Sequence, residues 1–391
     1  MVSTSRRAAA GLVLLPAVLL TALPLAAQNR DRAEREAFFD AIHAPNYLGT
    51  DIAHTPIKSQ RGGTCWCFAT VSFLESEVLR ENDDLVAALE AADLNLDISE
   101  YYVVYWAWVK KAREYAQRRG QGFHDRGGGV PFWDGGLSHD VTWIIREHGL
   151  VPEDAYVVPE NSGEMTGELR AAMDAWDETW DEEAMVGAVR EVLDRHLAPP
   201  PESIEFLGRT LTPRQFADEV LAIDPDDYVE VTSYESIPFY AKGEVDVPDN
   251  WWDFDGFYNL PLDAWLRVLN RALDRGYSVA IDTDWGDMGA GWNDAGIAVI
   301  HPDMTSSLLI GQDSREADFV EHRTTDDHLV HAVDHRVVDG RDWYLIKNSH
   351  GTATGRRGYV WMRDDWVAMR VLFYMLHRDA VDPEVLGRFA N

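Results

Sequence analysis

Cys65 stands in the stretch Ser59-Gln-Arg-Gly-Gly-Thr-Cys-Trp-Cys-Phe68, with Gln60 five residues before it and Trp66 directly after. Far along the chain come His328 and then Asn348, the latter inside Ile346-Lys-Asn-Ser-His-Gly351. A thiol, an imidazole and an amide in that order, with an upstream glutamine, are the parts of a cysteine-based acyl-transfer site. A thiol is only a few per cent ionised at neutral pH and must be activated. The start of a helix supplies free N–H groups and the positive end of the dipole, and both stabilise a thiolate. Gln60 would offer its side-chain amide to a developing oxyanion, with the backbone N–H of Cys65 as second donor. Taken alone, Cys65 reads equally well as a small buried hydrophobe. Its flanking residues favour the chemical reading, whereas Cys67, deeper in the helix, reads as packing.

These groups need elements to bring them together. Gly62-Gly63 allows a tight turn into a helix over Cys65–Glu81, with Phe68, Val71, Leu74 and Val78 on one face. His328 opens a strand that runs to Val338, Asp339-Gly340 is a turn signal, and Trp343–Lys347 returns as the partner strand. Reflection through that turn brings Asn348 to within about three residues of His328, an offset that a bulge or longer loop absorbs. Asn348 would then fix the imidazole tautomer and leave the other ring nitrogen for Cys65. His331 should point to the opposite face from His328, and His335 should share the face of His331. By itself, any of the three is compatible with an ordinary sheet histidine.

The remaining texture divides the chain. Helical patterns fill the first two thirds. Leu169, Met173, Trp176 and Trp180 predict one helical stripe, Thr212-Pro-Arg-Gln215 is a capping box, and Leu262, Leu266, Leu269 and Leu273 predict another helix. Strands dominate from Tyr277 onward. The fold class expected is α+β, helices first and a largely antiparallel sheet last, which suits a cleft between unlike halves. Gly127-Gly-Gly129 lacks the Lys-Ser/Thr of a phosphate loop. Asp282, Asp284 and Asp287 match no calcium-loop spacing and read as a solvated loop.

Composition narrows the partners. The 67 acidic residues against 35 basic ones give a net charge of −32. No basic stripe is present, so nucleic-acid binding is disfavoured. The 13 histidines show no zinc-ligand spacing, and no metal or cofactor is expected. Arg6-Arg7, the apolar run Ala8–Leu23 and Ala26-Ala27 read as an export leader over 1–27, which leaves no stable membrane insertion after cleavage and a secreted or periplasmic protein. Cys65 and Cys67 are the only cysteines, and two residues apart at a helix start they are poorly placed for a mutual bridge.

At these residues the chain resembles the papain-like cysteine peptidases, and more closely the bleomycin hydrolase/aminopeptidase C branch. Four stretches carry the resemblance: SQRGGTCWCFATVSFLESE from Ser59, DGGLSHDVTWIIREHGLVPEDAY from Asp134, the segment Leu211–Trp251, and His328–Met362 with IKNS and GYVWM. The resemblance implies a two-lobed fold. It places a helical lobe at about 51–160, a helical insert at about 161–260, a β lobe at about 277–378 and a C-terminal tail at 379–391. It implies Cys65 as nucleophile, His328 as general acid/base, Asn348 as its orienter and Gln60 as oxyanion donor, with Trp66, Gly135 and Gly136 against a peptide substrate. It further implies aminopeptidase action, gated by a tail that reaches the cleft, and a homo-oligomer, commonly a hexamer. Two positions depart from the family pattern: Gln60 lies five residues before Cys65 rather than six, and His350 replaces the usual tryptophan after Asn-Ser. The latter predicts a wetter cover over the His–Asn pair.

Overall fold

In the computed structural model the described residues are 34, 37–121, 133–156, 158–176, 179–286, 292–293 (backbone only), 296–301 and 309–389. The leader, Gly127–Gly129 and Asp287 lie outside them. The chain forms two compact units, 1–43 and 44–391. In the first, Phe38 and Phe39 meet edge to face at 5.4 Å.

Helices α1 (Cys65–Glu81), α2 (Asp83–Ala92), α3 (Glu100–Arg118), α4 (Ser138–His148), α5 (Ser162–Asp174) and α6 (Glu182–Leu197) come first. A small hairpin, β1 (Ile204–Phe206) and β2 (Arg209–Leu211), precedes the strands β3 (Tyr228–Thr232), β4 (Lys242–Gly243) and β5 (Phe257–Asn259). Then come α7 (Leu262–Asp274), β6 (Val279–Thr283), β7 (Trp292–Asn293), β8 (Ile297–Ala298) and α8 (Gln312–Val320). The chain closes with β9 (His328–Val338), β10 (Arg341–Lys347), β11 (Tyr359–Arg363), α9 (Asp364–Arg370) and β12 (Val371–His377). Ten strands form one sheet in the order β4-β5-β3-β12-β6-β9-β10-β11-β8-β7. It is antiparallel except where β3 meets β5 and β11 meets β8. The segment expected as a helical insert therefore supplies α5 and α6 and then three strands of the sheet.

Helix α1 packs on β6 and β9 on one side and on α3 and α4 on the other. This is why Cys65 to Val78 are all buried, not one face alone. The polar residues on the helix are satisfied inside: Thr70 donates to Ser138 at 3.0 Å, and Ser72 meets His331 Nδ1 at 2.9 Å. The opposite face of the sheet is covered by α7, whose Leu262, Leu269 and Leu273 are buried as their spacing predicts, with Leu266 partly buried and Trp265 buried beside them. The capping box forms as expected, with Gln215 N–H donating to Thr212 Oγ1 at 3.1 Å and Thr212 N–H to Gln215 Oε1 at 3.1 Å. The stripe through Trp176 and Trp180 does not continue as helix. α5 ends at Asp174, and Trp180 takes φ +54°, a value incompatible with a right-handed helix.

Beneath α1 lies an ionic knot. Lys58 Nζ pairs with Glu75 at 3.3 Å, Asp97 at 2.5 Å and Glu100 at 2.7 Å. Glu75, fully buried, also accepts from Ile98 N–H at 2.8 Å and from Thr55 Oγ1. Lys347 Nζ donates to Thr55 Oγ1 at 3.0 Å and Ser72 Oγ at 2.6 Å. Removing one member of such a cluster leaves its partners buried and unpaired. Glu75→Ala is expected to cost about 3 kcal/mol, measured as the shift of a urea unfolding midpoint. A loss below about 0.5 kcal/mol would mean the knot behaves as a surface pair.

Candidate active site

The turn into α1 is set by two glycines. Gly62 has φ +72°, a conformation that glycine adopts without strain. A Cβ on it would lie 2.4 Å from Asp134 Oδ2, and one on Gly63 would lie 2.8 Å from Asp134 Oδ1. Asp134 uses the space to accept from Gly63 N–H at 2.7 Å. Trp66 Nε1 donates to the Asp134 carbonyl at 2.8 Å, which fixes the next segment against the helix. Gly136 follows, and a Cβ there would meet the Trp66 ring at 3.0 Å. Gly135 and Gly136 are thus close-approach positions beside Cys65, both buried.

The hairpin delivers the other partners. Asp339 and Gly340 have φ +51° and +75°, as a type I′ turn requires. Pairing runs Arg341↔Val338 to Leu345↔Asp334, then shifts to Ile346↔Ala332 and Lys347↔His331. Val333 is the extra residue of a bulge. The shift removes one residue of the offset between His328 and Asn348, and a diagonal side-chain reach spans the rest. His328 Nε2 meets Asn348 Oδ1 at 2.8 Å. The same bulge corrects an expectation: His335 does not share the face of His331. His331 points to Ser72 and Phe73 on α1, whereas His335 bonds Asp274 on α7 at 2.8 Å.

The backbone N–H of Leu329, the residue after His328, lies near enough to the Cys65 thiol to favour its ionised form. The front of α1 and the start of β9 therefore converge. Burial pushes the thiol up to about 12, and the charges of Asp249 and Asp282 push the same way; the N–H groups of Leu329 and Trp66 oppose this. Burial pulls His328 down to about 4, opposed by its bond to Asn348 and assisted by His350. Thiol and imidazole are both neutral at rest. Cys67 lies away from the site, with its Sγ on the Glu100 carbonyl at 3.3 Å.

The cover over this pair is dry. His328 and Asn348 are 5% and 3% exposed. The His350 ring stacks on His328 at 4.7 Å and 24°, and Trp285 lies 5.0 Å away on the same ring. Exposed His350 and half-buried Trp285 together shield the pair, against the expectation of a wetter site. Gln60 is less free than its assigned part would need. Its amide donates to Gly62 O at 3.0 Å, its oxygen accepts from Ser349 Oγ, and its backbone N–H donates to Ser349 O at 2.8 Å. The five-residue spacing turns the carboxamide back onto its own loop.

Among the described residues, one group of side chains is spaced to hold a cation: Glu77, Glu81 and His377, whose ligand atoms lie within 4.8 Å of one another. It sits at the far end of α1, and Arg80 already pairs with both glutamates.

No protein-family model matches the chain. It is 23% identical to Aminopeptidase C of Lactococcus lactis subsp. cremoris, over 89% of this chain and 86% of that protein. It is 24% identical to Aminopeptidase W of Lactobacillus delbrueckii subsp. lactis, over 85% and 83%. The solved structure of PepW from Lactobacillus rhamnosis superposes with a TM-score of 0.71 at 16% identity, covering 95% of this chain and 96% of that one. In sequence the chain is similar to these aminopeptidases along most of its length, and in fold it is similar to PepW. The strands drawn from 228–259 belong to the same ten-stranded sheet as the strands after Tyr277, and α6 packs on α3. Arg271 of α7 pairs with Asp382, and Phe389 lies against Tyr240 and Tyr258 at 6.0 and 4.7 Å. Among the described residues, nothing in 378–389 bonds to Cys65, His328 or Asn348.

Sequence reasoning missed three neighbours of the site. Trp285 had no motif to mark it. Asp249 was hidden in a loop that signals nothing locally. Asp282 was read as solvated, yet it is fully buried on β6. Its place at the end of an apolar strand, Val279-Ala-Ile281, was the available signal.

Proposed function

We propose that this chain hydrolyses peptides through an acyl-enzyme on Cys65 and acts from the free amino end. The observation that carries the reading is the His328–Asn348 bond at 2.8 Å, at a strand start whose Leu329 N–H acts on the Cys65 thiol. His328 takes the thiol proton as sulfur attacks the carbonyl carbon. It returns that proton to the leaving amine as the C–N bond breaks. Water, deprotonated by the same imidazole, then cleaves the thioester and restores the thiol. The backbone N–H of Cys65 faces the developing oxyanion, and Gln60 joins it by exchanging its bond to Gly62. Asn348 holds the imidazole ring throughout.

The amino-end preference is supported by the Aminopeptidase C and W relatives. A free nonapeptide and its N-acetylated form, followed by mass spectrometry, test it. Stepwise release of single residues from the free peptide only is expected. Internal cuts in the acetylated peptide at a similar rate would make the chain an endopeptidase. We also propose export through the leader over 1–27; a mature amino terminus at Met1 or Val2 would refute it.

One observation favours a second reading, a silent relative that serves as a binding module: the Gln60 amide is already committed to Gly62. Cys65→Ala separates the two, because a binding module keeps its function without the sulfur.

A further inference from the structure

Carboxylates converge beside Cys65 with too little positive charge to answer them. Asp282 lies opposite Leu329 and Phe373 in the antiparallel register. Directly paired residues share a face of the sheet. Leu329 and Phe373 pack into the core around α1, so Asp282 faces α1 too, one position along β6 from the partner of His328. It is 0% exposed, and among the described residues neither of its oxygens has a hydrogen-bond partner.

Asp249 and Asp326, both half-buried, act on it through their charge. The Asp249 carboxylate is pressed on Gly135 so closely that a Cβ there would lie 2.3 Å from Oδ1. Asp326 Oδ2 accepts from the backbone N–H of Asp249 at 2.7 Å, which ties the two loops together. The charges of Asp249, Asp282 and Asp326 act on one another, and those of Asp249 and Asp282 act on Cys65. One cation, Lys111, acts on Asp249, and it is already donating to the carbonyls of Trp133 and Gly135. Asp134 and Asp140 add further negative charge beside it.

A buried carboxylate without a donor is costly, and structures keep such groups where a ligand answers them. The matching group is a cation with several N–H donors, small enough to enter beside a thiol.

We infer that Asp249, Asp282 and Asp326 form a subsite beside Cys65 that takes a primary ammonium of the peptide substrate. This rests on the peptide-hydrolase reading above, and it specifies the substrate class that reading leaves open. The ammonium is either the amino terminus or a lysine side chain. Both present three N–H donors to the same oxygens.

Binding to the full-length Cys65→Ala protein tests this without turnover. Leucinamide, N-acetyl-leucinamide and Nα-acetyl-lysinamide are compared by calorimetry. Leucinamide binding at least tenfold tighter than its acetylated form identifies the amino terminus as the ligand. Nα-acetyl-lysinamide binding tenfold tighter than N-acetyl-leucinamide identifies a side chain. In either case Asp282→Asn, made in the same background, is expected to remove the preference. Its melting temperature should hold or rise, because the replaced oxygens have no donor to lose. Asp249→Asn, on the half-buried side, carries the same expectation should Asp282→Asn fail to fold. Equal binding of all three compounds, binding of none, or a preference that survives the substitutions overturns the inference. A wild type that hydrolyses neither free nor acetylated peptides would remove the peptidase reading and leave this binding result standing.

Discussion

Cys65→Ala, His328→Ala and the double variant are each expected to lose the same share of turnover, about 10^4-fold or more in kcat. The equality follows from the geometry. The sulfur lies within reach of the Leu329 N–H, directly after the histidine that must take its proton. Neither group has an independent partner for the chemical step, so removing the second after the first removes nothing further. KM is expected to move little, because neither side chain is needed to seat the peptide. Initial rates on a free-amine aminoacyl-coumarin, with folding checked by circular dichroism, measure all three. A double variant far slower than both single variants would mean that the two groups act separately, and the acyl-transfer site would have to be redrawn.

The second large effect is one of pH. Burial and the charges of Asp249 and Asp282 hold the Cys65 thiol at about 12, and burial holds His328 near 4. Between those values both groups are neutral. The alkylation rate follows the thiolate fraction, which grows tenfold per pH unit below the thiol pKa. Iodoacetamide is therefore expected to label Cys65 about a hundredfold faster at pH 9 than at pH 7, with the site located by peptide mapping. A resting thiolate–imidazolium pair would behave differently, giving a rate that is flat from the histidine pKa upward. A plateau across pH 6–8 would thus overturn the neutral-pair description. Cys67 serves as an internal control, since it is wholly buried and bonded to the Glu100 carbonyl.

The parts of this protein that were readable in advance are those encoded locally. Gly62-Gly63 before Cys65 marks a turn into a helix whatever the rest of the chain does. Asp339-Gly340 marks a I′ hairpin in the same way, and the four leucines of α7 announce a one-sided helix. The His328–Asn348 pair was readable because a hairpin maps sequence distance onto space by reflection. What stayed hidden depends on contacts made across the fold. The bulge at Val333 reverses the facing of His335, yet nothing in the alternation of β9 marks which residue is extra. Trp285 and His350 cover His328 from separate loops, and neither loop carries a pattern. α5 ends at Asp174 although its apolar spacing continues, because Trp176 and Trp180 find their packing outside a helix. Asp282 escaped because its neighbours Asp284 and Asp287 suggested a watery loop, while strand pairing drew it inside.

The ionic knot beneath α1 bears on how a peptide is received. Lys58 is two residues from Gln60, Lys347 is the neighbour of Asn348, and through Thr55, Ser72 and Glu75 both lysines are pinned to the helix that begins with Cys65. Loop, strand end and helix thus share one anchor, so an incoming chain finds the reacting groups already assembled. Little ordering entropy remains to be lost on arrival. Affinity in such a cleft is governed by desolvation and charge, and selectivity must be written into the walls rather than into any closing motion.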